Sequence, residues 1–322
     1  MKIAEFKELA VFAEGPKYYL WPEGKMPDAQ PQQIAATTEE AAAADFRPED
    51  NRIPYLQWFR PPEENVRTDA CMIIISGGGY NNCCDMQAFA PFVGRLLAAG
   101  INCVNFIYRT PRSIKLPIYK TAWEDGQRAV RMVRSQAAER GFSPEKIGVV
   151  GCSAGSHLCM LLALSSQTAT YQPIDQLDEL PCKVAWAIPM CPAYVLSDGL
   201  LTPNAKGGHG DDVVLDEAFA FDSNSCPCCF MHGGLDQYSP MGSVKAYRRL
   251  RQMGIPTELH LEAKAAHGFA NYNRLDTPQI ALEFLKRIGA IPSHNSLETD
   301  LAAIVKWEKD RLAGCQGDLD LL

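Results

Sequence analysis

The pentapeptide Gly151-Cys-Ser-Ala-Gly155 sets Ser153 between two glycines, each two residues away. A serine hydroxyl can attack an acyl carbon, provided that a base takes its proton. Upstream, Ile147-Gly-Val-Val150 reads as a short buried strand; downstream, Leu158, Met160, Leu161 and Leu164 continue as a helix. G-x-S-x-G between a strand and a helix is the context that lifts a serine above a sheet edge on a strained turn. The flanking glycines are required where strand and helix cross closely and a Cβ would clash. The helix that starts here also turns unpaired N–H groups and partial positive charge toward the reacting centre. A Gly/Ser-rich turn without chemistry fits the same residues, so the partners of Ser153 decide between the two.

Six histidines compete for the role of base. His157 lies one turn into the helix that follows Ser153 and faces away from the turn. His232 ends a strand but with Gly233-Gly234 reads as part of a turn, His209 lies in a polar loop, His260 within a strand, and His294 beyond the last helix of the core. His267 differs, because it follows the strand Thr257–Leu261 after a short loop and precedes Gly268-Phe269. Parallel α/β sheets place their sites at such loops, outside the carboxyl ends of strands. By the same reasoning Asp236, in the turn after the strand at Cys228–Met231, is the carboxylate that orients the histidine. Asp211, Asp212 and Asp222 belong to the preceding excursion, and Asp125 sits on a helix in a structural role. The order Ser153, Asp236, His267 is that of a nucleophile–acid–base set on an α/β sheet.

A second glycine cluster, Ser76-Gly-Gly-Gly-Tyr80, ends the apolar run Cys71-Met-Ile-Ile-Ile75. Without side chains, its N–H groups can approach a ligand closely. The functional expectation is an oxyanion hole built from amides of Gly78, Gly79 or Tyr80 together with Ala154. Preorganised donors of this kind contribute about 3–4 kcal/mol each to acyl transfer. A phosphate loop is excluded by pattern: there is no G-x-x-x-x-G-K-[ST], and G-x-G-x-x-G breaks down after Gly79.

The elements that must carry these residues alternate. Strands are predicted at Tyr18–Trp21, Tyr55–Phe59, Cys71–Ser76, Asn102–Tyr108, Ile147–Val150, Val184–Pro189, Cys228–Met231 and Thr257–Leu261. Helices are predicted at Phe89–Ala99, closed by Gly100, at Tyr119–Arg140, closed by Gly141, and at Met241–Met253. A last core helix covers Thr277–Ile288, with Thr277 as cap and Pro278 at its first position. The continuous apolar strands suit a sheet covered on both faces. The fold class is therefore α/β, a three-layer α/β/α sandwich with a mostly parallel central sheet. One domain spans residues 1–322: a lead-in at 1–69, a core at 70–292 and a helical extension at 293–322. The extension has Ser296–Leu312 as an extra helix packed on its own domain. The polar stretch from Ser197 to Asn224 is too short for a separate lid domain, which predicts an open pocket.

At 322 residues, 47% hydrophobic and 21% charged, the chain has the composition of a soluble protein with a sizeable core. A net charge of −7 and a pI near 5.5 argue against nucleic acid as a partner. No signal peptide or membrane-spanning run is visible, so a cytoplasmic location without membrane attachment is expected. A homo-oligomer is left open. The twelve cysteines, Cys71, Cys103, Cys159 and Cys191 among them, are expected to be thiols filling strand and helix packing. Cys226-Pro-Cys-Cys229 and Cys83-Cys84 lack the matching second pair of a zinc site. Neither a metal nor a cofactor is expected.

Taken together, Leu20-Trp-Pro-Glu-Gly24, Gly77-Gly-Gly-Tyr80, Tyr108-Arg109, Glu124-Asp-Gly-Gln-Arg-Ala129, Gly151-Cys-Ser-Ala-Gly155, His232-Gly-Gly-Leu-Asp236 and Ala266-His-Gly-Phe269 span about residues 20 to 290. In these pieces the chain resembles α/β-hydrolases of the esterase/lipase kind, in particular the bacterial acetylxylan-esterase-like group related to the hormone-sensitive-lipase branch. The resemblance implies a serine esterase that releases acetyl or other small acyl groups, often from plant polysaccharide fragments, without a cofactor. Its substrate would be a small-molecule or oligosaccharide ester. Two other readings use the same residues. A peptidase employs the same triad but usually carries an added domain, and a catalytically inactive binding module would not need all three triad residues.

Overall fold

The computed structural model describes residues 16–29, 53–61, 67–83, 89–112, 115–197, 213–268 and 276–293. Among these residues eight strands form one sheet: β1 (Tyr18–Tyr19), β2 (Tyr55–Phe59), β3 (Cys71–Ile75), β4 (Asn102–Ile107), β5 (Ile147–Cys152), β6 (Trp186–Met190), β7 (Cys228–Gly233) and β8 (Thr257–Glu262). Their order is β1-β2-β4-β3-β5-β6-β7-β8. β2 runs antiparallel to β1 and β4, and every other pairing is parallel. The chain steps from β3 outward to β4 and then returns to β5 on the other side of β3. That reversal opens a crevice at the carboxyl ends of β3 and β5, where sheets of this class place ligands. The glycine loop after β3 and the serine turn after β5 both end there.

Side chains alternate along each central strand and so divide into two cores. Ile73, Ile75, Val104, Phe106, Ile147 and Val149 face one side, with α2 (Lys120–Ser135), α4 (Ala154–Leu164) and α5 (Met241–Gln252) packed over them. Met72, Ile74, Cys103, Val150, Ile188 and Met190 face the other, beneath α1 (Ala90–Ala98) and α6 (Thr277–Arg287). With both faces covered, β3 to β7 are buried throughout, which explains their unbroken apolar sequences. Helix α4 is buried at all eleven positions and has no polar face. Gly148 makes room for the Trp186 indole: a Cβ there would lie 1.8 Å from Nε1.

A buried ionic network ties the lead-in to the core. Asp125 accepts hydrogen bonds from Trp21 Nε1 (2.7 Å), from the Arg109 backbone N–H (2.8 Å) and from Arg109 Nε (2.9 Å). Arg109 also pairs with Glu124 at 2.8 Å, and Arg128 donates to the Leu20 carbonyl at 3.0 Å. The structural role expected for Asp125 is thus what its contacts describe.

Several boundaries differ from expectation. The helix predicted over 119–140 breaks at Gln136 and resumes as α3 (Ala137–Arg140), which Gly141 ends in the left-handed region. Asp276, not Thr277, caps α6: its carboxylate accepts the Gln279 N–H, Thr277 is the first helical residue and Pro278 the second. The charged side chain of Asp276 reaches the free N–H groups, while Thr277 is buried. His232 lies in β7 rather than in a turn, because its pairing with Leu261 of β8 extends that strand to Gly233. β6 begins at Trp186, two residues later than expected. His209, His294, Asp211, Asp212, Cys84 and the helix expected at Ser296–Leu312 lie outside the described residues. Among the described residues, no helix is long and apolar enough to cross a membrane.

Candidate active site

Ser153 sits between the end of β5 and the first turn of α4, with φ 56° and ψ −122°. A non-glycine residue in this region is strained and persists only where its surroundings fix it. Here the Ser153 N–H donates to Met190 O (3.1 Å), and its carbonyl accepts from Ser156 N (3.0 Å) and His157 N (3.1 Å). The flanking glycines are dictated by contact. A Cβ on Gly151 would stand 2.2 Å from Gly155 O, and one on Gly155 would stand 2.3 Å from Ser76 O. The turn holds the serine side chain partly exposed, above a fully buried strand.

The loops after β7 and β8 bring up the other two residues. His267 Nε2 is 2.7 Å from Ser153 Oγ, and His267 Nδ1 is 2.9 Å from each carboxylate oxygen of Asp236. Facing two acceptor oxygens, Nδ1 must carry the proton, which leaves the Nε2 lone pair to accept from the serine hydroxyl. Asp236 also accepts the Tyr238 N–H at 2.8 Å. Burial alone would raise the Asp236 pKa, but hydrogen bonds from His232 and His267 outweigh it and hold the carboxyl below its ordinary value. Burial lowers the His267 pKa; the hydrogen bond it donates to Asp236 and the negative charge of Cys191 and of Asp236 more than reverse this. His267 therefore stands above the usual imidazole value.

His232 is a partner that the sequence reading missed. It is fully buried, with Nε2 3.1 Å from Tyr238 O and 3.4 Å from Asp236 Oδ2, and Nδ1 2.8 Å from Ser243 Oγ. Two oxygens facing Nε2 make it the donor, so this histidine fixes the loop that carries Asp236. Its signal in the sequence was its spacing, four residues ahead of the carboxylate.

The glycine loop lies directly against the serine turn: a Cβ on Gly77 would be 3.1 Å from Ser153 Cβ. The loop folds on itself through Asn81 N and Asn82 N, both donating to Gly78 O. Gly78 has φ 124°, and a Cβ there would fall 2.0 Å from Asn82 Oδ1. Among the described residues, no backbone carbonyl outside the regular elements accepts the N–H of Gly78, Gly79 or Ala154. Tyr80, buried at φ 63°, shares a 2.8 Å hydrogen bond between its hydroxyl and His157 Nδ1. Burial lowers the His157 pKa to about 3, so this imidazole is neutral and clasps the loop to helix α4. Tyr194 and Tyr238 complete an aromatic wall, with Tyr238 4.9 Å from the His267 ring and Tyr194 5.3 Å from Tyr238.

Among the described residues, two groups of side chains have the donor types and proximity to hold a metal. One is Cys191 with Asp236 and His267, whose donor atoms lie within 4.8 Å of one another, but His267 already bonds Asp236 and Cys191 already contacts Cys152. The other is Cys229, Glu258 and His260, where Arg287 already engages both Glu258 oxygens at 2.7 and 2.8 Å. Cys226, Cys228 and Cys229 are buried, and Cys228 and Cys229 belong to β7.

Comparison with known proteins agrees with this architecture. The BD-FAE family model matches residues 56–186. Endo-1,4-beta-xylanase B of Butyrivibrio fibrisolvens is 36% identical over 104 residues, 31% of this chain and 16% of that protein. Esterase LipQ of Mycobacterium tuberculosis is 27% identical over 226 residues, 65% of this chain and 52% of that protein. The chain thus spans about half or less of the curated relatives it matches. Among solved structures, an acetyl ester-xyloside bifunctional hydrolase from Caldicellulosiruptor lactoaceticus superposes with a TM-score of 0.65 at 20% identity, covering 88% of this chain and 99% of that one. Thermogutta terrifontis esterase 2 gives 0.59 at 24% identity, covering 76% and 93%. With a mostly parallel sheet, a serine turn at its switch point and these structural neighbours, the chain has the α/β-hydrolase fold, and over residues 56–186 it is similar to the BD-FAE family.

Proposed function

We propose that this protein is a serine carboxylic-ester hydrolase, and specifically an acetyl esterase acting on acetylated carbohydrate of the xylan type. The observation that carries the proposal is the relay Ser153–His267–Asp236, with separations of 2.7 and 2.9 Å. Ser153 Oγ attacks the ester carbonyl as His267 Nε2 takes its proton, and Asp236 holds the Nδ1 tautomer and stabilises the imidazolium. Negative charge on the carbonyl oxygen falls to the amides of Ala154 and of Gly78, Gly79 or Tyr80. The imidazolium returns its proton to the departing alkoxide, and water then releases the acid by the same route. The carbohydrate preference is supported by the relatives alone: one is named a xylanase, another an acetyl ester-xyloside hydrolase.

The test is acetate release from acetylated xylo-oligosaccharides, run beside aryl acetate and aryl butyrate, with Ser153→Ala as control. Sugar deacetylation that disappears in the variant is the expected result. Aryl acetate turnover without sugar deacetylation would overturn the carbohydrate assignment, and no ester turnover at all would overturn the hydrolase.

A further inference from the structure

The residue before the nucleophile and the residue after β6 are both cysteines, and they meet. Cys152 Sγ and Cys191 Sγ are 3.3 Å apart, both buried, with 4% and 0% exposure. The ladder brings them together: Cys152 is register partner of Met190 on the parallel neighbour β6, and Cys191 is the next residue. Cys191 adopts φ 42°, a left-handed conformation unusual for a side-chain-bearing residue. The same sulfur lies within 4.8 Å of the Asp236 carboxylate and a ring nitrogen of His267.

We infer that Cys152 and Cys191 form an oxidisable pair, which a peroxide converts to a disulfide that disables the site around Ser153. The loss of activity rests on the hydrolase reading above; formation of the bond does not. In the first step the Cys191 sulfur attacks a peroxide oxygen, the O–O bond breaks, and the products are a sulfenic acid and one water. In the second, the Cys152 sulfur displaces the hydroxyl from Cys191, forming the S–S bond and a second water. Two thiols lose two electrons and two protons, and one hydrogen peroxide becomes two waters.

The surroundings favour this pair over the other cysteines. Burial pushes the thiols of Cys71, Cys103, Cys159, Cys182, Cys228 and Cys229 up. Cys191 is instead drawn down, first by the hydrogen bond with Cys152 and further by the His267 charge, against its burial. A thiolate, rather than a thiol, is the nucleophile toward peroxide. Cys191 itself is buried, and its sulfur lies within 4.8 Å of a ring nitrogen of the partly exposed His267, the side from which peroxide must come.

Closing a contact of 3.3 Å to a bond of about 2.05 Å draws the two backbones together by roughly 1.2 Å or twists their side chains. The adjacent residue on one side is Ser153, whose N–H is pinned to Met190 O, and Cys191 N is itself pinned to Met231 O at 2.8 Å. Strain introduced between these fixed points displaces Ser153 Oγ from His267. A misplacement near 1 Å costs roughly 100-fold in rate.

The experiment treats the purified full chain with hydrogen peroxide, maps its disulfides by mass spectrometry without reduction, and follows aryl acetate hydrolysis before and after dithiothreitol. The expected result is a Cys152–Cys191 cross-linked peptide, a rate lowered about 100-fold and recovery on reduction. In Cys191→Ser the cross-link is absent and the ratio of treated to untreated rate stays near one. The map on the natural chain decides the matter even if that variant fails to fold. Peroxide inactivation without the cross-link, or the cross-link without inactivation, would overturn the inference. If the untreated chain hydrolyses no ester, the hydrolase reading fails on its own, and the map still decides whether the pair exists.

Discussion

Replacing Asp236 by asparagine keeps the shape of the side chain and removes its charge and one of its two acceptor oxygens. In the native site both oxygens lie 2.9 Å from His267 Nδ1, and Oδ1 also accepts the Tyr238 N–H at 2.8 Å. An asparagine that keeps its oxygen toward Tyr238 turns its NH2 group toward Nδ1. The histidine proton then moves to Nε2, which faces Ser153 Oγ at 2.7 Å and must accept, not donate. Loss of the working tautomer in a triad of this kind lowers kcat by about 10⁴, or roughly 5.4 kcal/mol of barrier at about 1.36 kcal/mol per tenfold. The pH profile gives an independent reading. As the proposed base His267 works only when neutral, and its pKa stands above the ordinary 6.5, so ester hydrolysis by the natural chain should be lost as pH falls through a value above 6.5. In Asp236→Asn the burial that lowers this pKa remains while the charge that raises it is gone, so the acid limb of kcat/KM moves down. Steady-state aryl acetate hydrolysis across pH measures both quantities. A rate loss below about tenfold, or an acid limb that stays in place, would refute this account of the triad.

Gly155→Ala should damage both stability and rate, because its Cβ would meet the backbone oxygens of Ser76 at 2.3 Å and Ile75 at 2.4 Å. Overpacking costs about 1–3 kcal/mol; thermal unfolding and aryl acetate turnover check it, and an unchanged melting temperature with full activity would count against the packing described. Asp125→Ala removes the acceptor of Trp21 and Arg109, leaving a buried guanidinium with Glu124 as its remaining carboxylate partner. Breaking a buried pair costs about 3–5 kcal/mol, read as a lowered denaturation midpoint. A change within about 0.5 kcal/mol would mean that the network does not hold the lead-in.

Local patterns made the strands, the serine turn and the approach of Asp236 and His267 readable before any coordinates. Each depends on residues adjacent in the chain: an apolar run, a glycine where backbones touch, a loop at a strand end. Asp236 and His267 could be chosen because the sheet's polarity puts both loops at one edge. What escaped the sequence depended on neighbours far along the chain. His232, at a strand end beside two glycines, looked like part of a turn, and its pairing with Leu261 places it within the strand. Likewise the Tyr80–His157 bond joins residues 77 positions apart. Periodicity assigned His157 to a helix face without saying what covered that face. The Cys152–Cys191 contact, 39 positions apart, needed the register of β5 on β6. Asp276 and Thr277 are both good caps by type, and only the direction of entry into α6 separates them.

The clasp between Tyr80 and His157 has a consequence for handling the protein. Its imidazole stays uncharged down to a pKa of about 3, whereas His267 gains a proton on the other side of neutral imidazole's 6.5. Mild acid therefore silences the base while the glycine turn stays fastened to helix α4. An ester soaked into acidified crystals should find the cradle for its carbonyl intact and no partner able to start the reaction. Acid is thus a reversible pause, in which the unreacted substrate can be seen in place and then released by raising the pH.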